Sequence, residues 1–115
     1  TDALASKYSL LLFYQSGCEP CKQTIAALKE HYSNLVAKGI KIVALSADTD
    51  LQLFKDSAAA FPWKDTYCNL EGFKGVNFKS YAVTGTPTMF VLDSKGILLK
   101  KIATIKQLLT WSEKL

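Results

Sequence analysis

Apolar residues in the first half of the chain alternate between two kinds of pattern. Nearly continuous apolar runs at residues 8–15 and 40–46 predict strands that are buried on both faces, as parallel central strands are. Apolar positions three or four apart predict a helix from the residues after Cys21 to about residue 38, and another over residues 51–61. The inward stripe expected for the first of these helices consists of Ile25, Leu28, Tyr32, Leu35 and Val36. Gly39 follows the first helix, and Pro62 ends the second. The pattern therefore predicts strand, helix, strand, helix.

The second half of the chain continues this alternation with shorter elements. The predicted elements are a short strand at 66–69 that carries Cys68, a weaker helix at 73–81, strands at 88–93 and 97–103, and a final helix at 105–115. Ser94-Lys95-Gly96 joins the last two strands, a spacing typical of a β-hairpin. Strands separated by helices are expected to be parallel, whereas the hairpin adds antiparallel strands. We therefore expect an α/β fold with a mixed sheet and helices on both faces.

Composition and charge limit the classes of protein to consider. A length of 115 residues with 49% hydrophobic content is sufficient for one globular domain, and we expect residues 1–115 to form it. The net charge of +4 comes from scattered lysines, so we expect no nucleic-acid partner and only a mild preference for acidic ones. No apolar run approaches the roughly 18 residues of a membrane span, and residues 1–4 show no signal-peptide pattern. The sequence is also compatible with a domain excised from a longer exported or tethered protein. We expect membrane contact only through an anchor outside this sequence.

Cys18-Glu19-Pro20-Cys21 lies between the first predicted strand and the first predicted helix. Backbone N–H groups without intrahelical partners and the positive end of the helix dipole stabilise a thiolate at such a junction. Cys18 at the helix start is therefore the expected nucleophile, and Cys21, turned inward three residues later, the expected resolving thiol. Pro20 suits a first helical turn, where its missing N–H costs nothing. This arrangement predicts a thiol-disulfide exchange site.

The cysteines allow two other interpretations. A zinc site needs four ligands, where the chain offers three cysteines and His31, but ten residues of helix, about 15 Å, separate His31 from Cys21. Two unreactive core thiols are a second alternative. For Cys68 we expect a buried, inert thiol rather than a trap for the other pair. Glu19 opposes thiolate formation through its charge, but an exposed acid there is well screened and suits a helix start.

The chain resembles proteins of the thioredoxin fold in two features. These are the cysteine motif in this setting and the segment before the hairpin, Gly85-Thr86-Pro87-Thr88. That resemblance implies a thioredoxin-like three-layer α/β/α sandwich with a central mixed β-sheet. The additional strand and helix over residues 40–61 constitute an extra βα insertion and are similar to the TlpA/ResA-like branch of extracytoplasmic thiol-disulfide oxidoreductases. The resemblance also implies a cis peptide bond before Pro87, which would lie against the two sulfurs, and substrate binding by the backbone of Thr86 through strand addition. A trans proline that merely starts an edge strand is the alternative.

Three positions depart from the family pattern. Gly17 replaces the tryptophan usual before the first cysteine, which leaves the nucleophile more open. Leu12 and Thr24 stand where related proteins carry acids, so the usual proton acceptors for the resolving thiol are missing. Asp48 follows the second strand and is a possible proton acceptor for Cys21. We favour the alternative, in which Asp48 or Asp50 caps the next helix.

These observations and the resemblance together predict the activity. We expect a thiol-disulfide oxidoreductase that acts as a reductant on protein disulfides, takes electrons from a protein donor, needs no cofactor or metal and lies in a bacterial periplasm. A thiol peroxidase on the same fold is disfavoured, because Gln15 occupies the place of that family's threonine. A copper-delivery protein would need a wider cysteine spacing and a distal histidine. A non-catalytic interaction module remains the main alternative. Phe61 and Trp63 fit either a substrate wall or core packing.

Overall fold

The computed structural model describes residues 7–115, so the residues examined for a signal-peptide pattern lie outside the described part. Helices and strands alternate in the predicted order. In chain order they are β1 (Tyr8–Tyr14), α1 (Glu19–Ala37), β2 (Ile40–Ser46), α2 (Leu51–Ala59), β3 (Asp65–Tyr67), a 3-10 turn (Gly72–Lys74), α3 (Val76–Ser80), β4 (Thr88–Asp93), β5 (Leu98–Ile102) and α4 (Ile105–Ser112).

The strands form one five-stranded sheet in the order β3-β2-β1-β4-β5. β1 pairs in parallel with β2, which pairs in parallel with β3, while β4 is antiparallel to both β1 and β5. Leu11, in the middle of β1, lies opposite Val43 on one side and Phe90 on the other. The predicted mixed sheet, with a parallel part and a terminal antiparallel hairpin, is confirmed.

Side chains of the central strand alternate between the two faces of the sheet. Leu10, Leu12 and Tyr14 belong to a core with residues of α1 and α4, whereas Leu11 and Phe13 belong to a second core with Phe78 of α3. This alternation follows from the period of two in a strand. Both cores exclude solvent, which explains why β1 is apolar at nearly every position. Helices on both faces of the sheet, as expected, make the three-layer sandwich.

Several predicted boundaries differ from those observed. β3 ends at Tyr67, so Cys68 lies just beyond the strand in which it was expected. The predicted helix at 73–81 is divided, because Gly75 is extended (φ −62°, ψ 152°) between the 3-10 turn and α3. Val36, expected on the inward stripe of α1, is 49% exposed because it lies beyond the edge of the buried face that Leu28 and Leu35 define.

The ends of α1 fix the position of the cysteines. Cys18 is the N-cap residue, with extended backbone, and the helix begins at Glu19 with Pro20 in its first turn, three residues before the helical pattern became evident in the sequence. Lys38 caps the other end, and Gly39 adopts φ +84°, which favours glycine and leads the chain into β2. The first cysteine thus lies where the strand gives way to the helix.

Within residues 7–115, none of the helices combines the length and the apolar character that crossing a membrane requires.

Candidate active site

Cys18 and Cys21 form a disulfide at the N-terminus of α1, with their Cα atoms 5.1 Å apart. The Cys18 sulfur also accepts a hydrogen bond from the backbone N–H of Cys21 at 3.2 Å, as an N-cap side chain does. Cys21 is fully buried, whereas Cys18 retains some contact with solvent. Cys18, the more exposed of the two cysteines, therefore lies at the positive end of the helix dipole, where a thiolate is stabilised.

Thr86 and Pro87 lie on one side of this disulfide. The Thr86 carbonyl oxygen is 3.7 Å from Cys18 Sγ, and the Thr86 hydroxyl donates to the same sulfur at 3.6 Å. The peptide bond between Thr86 and Pro87 is cis, and Pro87 leads directly into β4. Folding therefore brings the Thr86 and Cys18 side chains together, although 68 residues separate them in the sequence.

Gly17 leaves the other approach to Cys18 open. The residue is exposed with φ +83°, and a Cβ placed on it would meet no atom within 4 Å. Glu19 and Pro20 are also exposed, and the Glu19 carboxylate lies 3.3 Å from the Lys22 ammonium. The two positions at which related proteins carry acids hold a fully buried Leu12 and a half-buried Thr24.

Asp48 holds the loop that precedes Cys18. One carboxylate oxygen accepts from the Ser16 N–H at 2.8 Å and the other from the Ser16 hydroxyl at 2.6 Å, while Asp48 itself is only 4% exposed. Asp50, two residues on, is the N-cap of α2 and accepts from the N–H groups of Gln52 and Leu53. The capping role expected for one of the two aspartates therefore falls to Asp50, and Asp48 contacts the active-site loop instead.

A buried phenol lies close to this loop. The Tyr14 hydroxyl is 2.9 Å from Ser57 Oγ on α2. Burial raises the pKa of Tyr14 above its ordinary value, the hydrogen bonds to Ser57 and Ser46 oppose the increase, and the negative charge of Asp48 adds to it. Tyr14 is therefore held as a neutral hydrogen-bonding group.

A cleft of about 310 Å³ opens beside Cys21, between α1 and the end of α2. Its lining residues are Tyr14, Gln15, Ser16, Gly17, Cys21, Lys22, Ile25, Ala26, Lys29, Ser57, Ala60 and Phe61. Sequence reasoning did not place Lys29 or Ser57 near the cysteines and left Phe61 undecided between a substrate wall and core packing. The inward stripe of α1 pointed to Ile25, but nothing in the sequence pointed to the contact with α2.

The remaining candidate residues lie elsewhere. Trp63 is 3% exposed within the first core, so core packing is the correct one of its two interpretations. Cys68 is partly exposed rather than fully buried, contacts the Asp48 carbonyl oxygen at 3.2 Å and lines a separate cavity of about 180 Å³. Among residues 7–115, no three His, Cys, Asp or Glu side chains cluster closely enough to hold a metal ion.

A mixed sheet with helices on both faces and a disulfide at the start of the first helix defines a thioredoxin-like protein with a redox-type cysteine pair. The comparison of sequences agrees, because the family model described as thioredoxin-like matches residues 6–98. The chain belongs to the thioredoxin-like family. The predicted fold and family are thereby confirmed.

Curated relatives include the ResA proteins that the sequence resembled. The chain is 29% identical over 99 residues to the thiol-disulfide oxidoreductase ResA of Bacillus cereus, an alignment that covers 86% of this chain and 56% of that protein. It is also 26% identical over 110 residues to nucleoredoxin of Xenopus laevis, covering 94% of this chain and 27% of that protein. The chain thus spans about half the length of the ResA relatives and about a quarter of the nucleoredoxins.

Solved structures resemble the chain over nearly its whole length. A thiol-disulfide oxidoreductase from Bacteroides fragilis has a TM-score of 0.81 at 25% identity, with 96% of this chain and 83% of that one covered. The thioredoxin domain of a thiol-disulfide oxidoreductase from Bacteroides vulgatus has a TM-score of 0.81 at 23% identity, with 98% and 81% covered. The chain is therefore homologous to thiol-disulfide oxidoreductases, and its Cys-x-x-C pair is at disulfide distance.

Proposed function

We propose that this chain forms one thiol-disulfide oxidoreductase domain, which reduces disulfides in partner proteins through Cys18 and Cys21. One observation carries the proposal: an accessible cysteine at a helix N-terminus is bonded to a buried cysteine three residues later. A solvent-facing sulfur at the positive end of a helix dipole is suited to attack a disulfide. A buried partner three residues away is suited to resolve the product rather than to compete for substrate.

The proposed reaction begins with the reduced pair. The Cys18 thiolate attacks one sulfur of a partner disulfide, which forms a Cys18–partner disulfide and releases the other partner sulfur as a thiolate. Cys21, once deprotonated, attacks the Cys18 sulfur, forms the Cys18–Cys21 disulfide and releases the second partner thiolate. Two electrons thereby pass from the cysteine pair to the partner. A protein electron donor returns the pair to its dithiol state, and no metal or cofactor takes part.

Asp48 is our candidate for the group that accepts the proton of Cys21. Asp48 lies two residues after the end of β2. Its buried carboxylate is hydrogen-bonded to Ser16, which lies two residues before Cys18. The acids of related proteins are replaced by Leu12 and Thr24, which cannot accept this proton. If Asp48 acts in this way, Asp48→Asn should slow the resolution of a Cys18–partner disulfide more than its formation. Equal slowing of both steps would leave Asp48 only a structural role in the loop.

Thr86 and Pro87 form the proposed docking side for the partner's backbone. Thr86 contacts the Cys18 sulfur, so a chain paired with the Thr86 N–H and C=O would pass directly over that sulfur. Strand addition of this kind provides main-chain hydrogen bonds that do not depend on partner sequence. Pro87 follows Thr86 directly and leads into β4, whose first residue Thr88 pairs with Phe13 of β1, while Glu19 and Pro20 complete the motif.

Trapping the intermediate tests the proposal. The variant Cys21→Ser should accumulate a covalent Cys18–partner disulfide with a disulfide-containing protein, because the resolving thiol is gone, whereas Cys18→Ser should form none. Non-reducing electrophoresis with mass analysis measures both. A reductant should also have a potential for the Cys18–Cys21 couple near the thioredoxin value of about −270 mV. If Cys21→Ser traps no partner and the wild-type pair shows no reversible redox transition, the proposal is contradicted and the interaction module is favoured.

We further propose that the protein acts outside the cytoplasm, in a bacterial periplasm, on protein thiols and disulfides and not on nucleic acids. The similarity to bacterial ResA proteins and to Bacteroides oxidoreductases supports this location. A membrane anchor outside the present sequence would provide any membrane contact. Alkylation of Cys18 in intact cells by a reagent that does not cross the inner membrane would test it.

A further inference from the structure

The cleft beside Cys21 is distinct from the proposed backbone-docking residues, because neither Thr86 nor Pro87 lines it, whereas Cys21 and Gly17 do. Gly17 directly precedes Cys18, and a Cβ placed on Gly17 would meet no atom within 4 Å. A chain bound over Cys18 can therefore place neighbouring residues in this cleft.

The floor and walls of the cleft are mainly apolar. Ile25 of α1 and Phe61, beyond the end of α2, both line it, and the Phe61 ring contacts the ring of Tyr14 with centroids 5.3 Å apart. Ile25 and Phe61 are partly buried, and Tyr14 is buried. A cleft of about 310 Å³ is sufficient to receive an aliphatic side chain and the backbone beside it.

The charged residues that line the cleft are both lysines. Its lining includes Lys22 and Lys29 and no acidic residue. Lys22 pairs with Glu19, but in the described part of the chain no carboxylate oxygen lies within 4.0 Å of the Lys29 ammonium. That ammonium lies 5.9 Å from the centroid of the Phe61 ring, so it leans over the apolar wall. An occupant with an aliphatic and an acidic side chain would complement both features.

We propose that this cleft is a specificity subsite, which binds an aliphatic residue and a neighbouring acidic residue that flank the reactive cysteine of the partner protein. The inference rests on the proposed oxidoreductase function. Lys29 follows Cys18, to which the partner's cysteine would be bonded, by eleven residues, about 16 Å along the axis. About five extended residues cover that distance, and four suffice because a helical side chain points back toward the helix N-terminus. The acidic residue should therefore lie four or five positions from the partner's cysteine.

Synthetic peptides with one cysteine, activated as a mixed disulfide with 2-thiopyridine, test the subsite. The first peptide carries a leucine next to glutamates four and five positions from the cysteine on either side. A second peptide replaces the glutamates by lysines, and a third replaces the leucine by serine. An uncharged N-acetylcysteine amide mixed disulfide is the reference probe. Release of 2-thiopyridine from the reduced protein gives each rate constant.

At low ionic strength the glutamate peptide should react about threefold to tenfold faster than the lysine peptide, and the difference should shrink as salt is added. The serine peptide should react at least about twofold more slowly than its leucine counterpart. Lys29→Glu should abolish or invert the glutamate preference. Lys95→Glu, which makes the same charge change in the turn at the far end of the sheet, should retain it.

Equal rates for the charged peptides, or the same preference in Lys29→Glu as in the wild type, would overturn the subsite while the oxidoreductase function stands. Loss of the preference in Lys95→Glu would also overturn it, because net charge alone would then explain the effect. Failure of the wild type to react even with the reference probe would instead overturn the oxidoreductase function on which the subsite depends.

Discussion

Tyr14 shows how burial at the site controls a single ionisable group. The folded state favours its neutral phenol, so its pKa in the folded protein lies above the unfolded value of about 10. The stabilisation is fully present below the unfolded pKa. It is lost as the pH rises from there through the folded pKa, because the unfolded chain then releases a proton that the folded one retains. Tyr14 should therefore make the fold sensitive to alkali.

This sensitivity can be measured with Tyr14→Phe. Between pH 9.5 and 11 the urea midpoint of the wild type should fall more steeply than that of Tyr14→Phe, even though the variant is less stable at neutral pH through loss of the Ser57 hydrogen bond (about 1 kcal/mol). Tyr67→Phe is the matched control, since Tyr67 is 54% exposed. A Cys68→Ser background prevents thiol exchange at high pH. Identical slopes for wild type and Tyr14→Phe would contradict the assignment.

The sequence predicts a site near Asp48 but not the residues that Asp48 contacts. Its position after a buried strand suggested the carboxyl edge of the sheet, where active-site groups gather. The hydrogen bonds to Ser16 depend on how two loops, 32 residues apart in sequence, meet in the fold. Residue type and strand order therefore predicted the neighbourhood, and the tertiary contact identified the partner.

At the scale of elements, α2 depends on its cap. No residue of this nine-residue helix is buried, so burial contributes little to holding it. Isolated helices of this length are marginal in water, and the cap hydrogen bonds from Asp50 to Gln52 and Leu53 are therefore important. Since Ser57 belongs to α2, loosening the helix would also disturb the cleft beside Cys21.

Asp50→Ala should lower the free energy of unfolding by about 1 kcal/mol, with a range of about 0.5 to 2. Asp50→Asn should stay close to the wild type, because asparagine is an equally good N-cap residue. Chemical denaturation measures both, and amide hydrogen exchange in α2 should be faster in the alanine variant alone. Equal stability of the alanine and asparagine variants would show that the cap does not hold the helix.

Element boundaries depended on local conformations that the apolar pattern does not encode. The capping role of Cys18 started α1 at Glu19, before the apolar stripe becomes visible. Gly75 divided the predicted helix at 73–81. Periodicity located the elements correctly because apolar burial dominates their interiors, whereas caps and turns determine where they end.

At the scale of the whole molecule, the two cores share one sheet. Leu12 and Phe13 are adjacent and fully buried, yet they point into opposite cores. Leu12 also occupies the place where related thioredoxins bury an acid, so in this chain that position contributes packing rather than a proton acceptor. A sheet that connects the two cores should unfold together with both of them.

Leu12→Ala should therefore cost about 2 to 5 kcal/mol and Phe13→Ala about 3 to 5 kcal/mol of unfolding free energy. Leu98→Ala on β5, where the side chain is 50% exposed, should cost less than about 1 kcal/mol. Urea unfolding followed by tryptophan fluorescence and by far-UV circular dichroism measures all three. Two separate transitions in the wild type would show that the cores unfold independently. A cost below about 1 kcal/mol for Leu12→Ala or Phe13→Ala would contradict the tight packing of that residue.

Apolar periodicity predicts the order and type of the elements and the mixed sheet, and the cysteine motif predicts a redox pair at the strand-to-helix junction, because both patterns act over a few neighbouring residues. The thioredoxin-like family was expected from the resemblance that this motif and Gly85-Thr86-Pro87-Thr88 carry. In contrast, the contact of Thr86 with Cys18, the contact of Asp48 with Ser16, and the cleft that Lys29 and Phe61 border are visible only in the folded structure. Those contacts join segments distant in the chain, and they arise from the packing of whole elements, which no local pattern specifies.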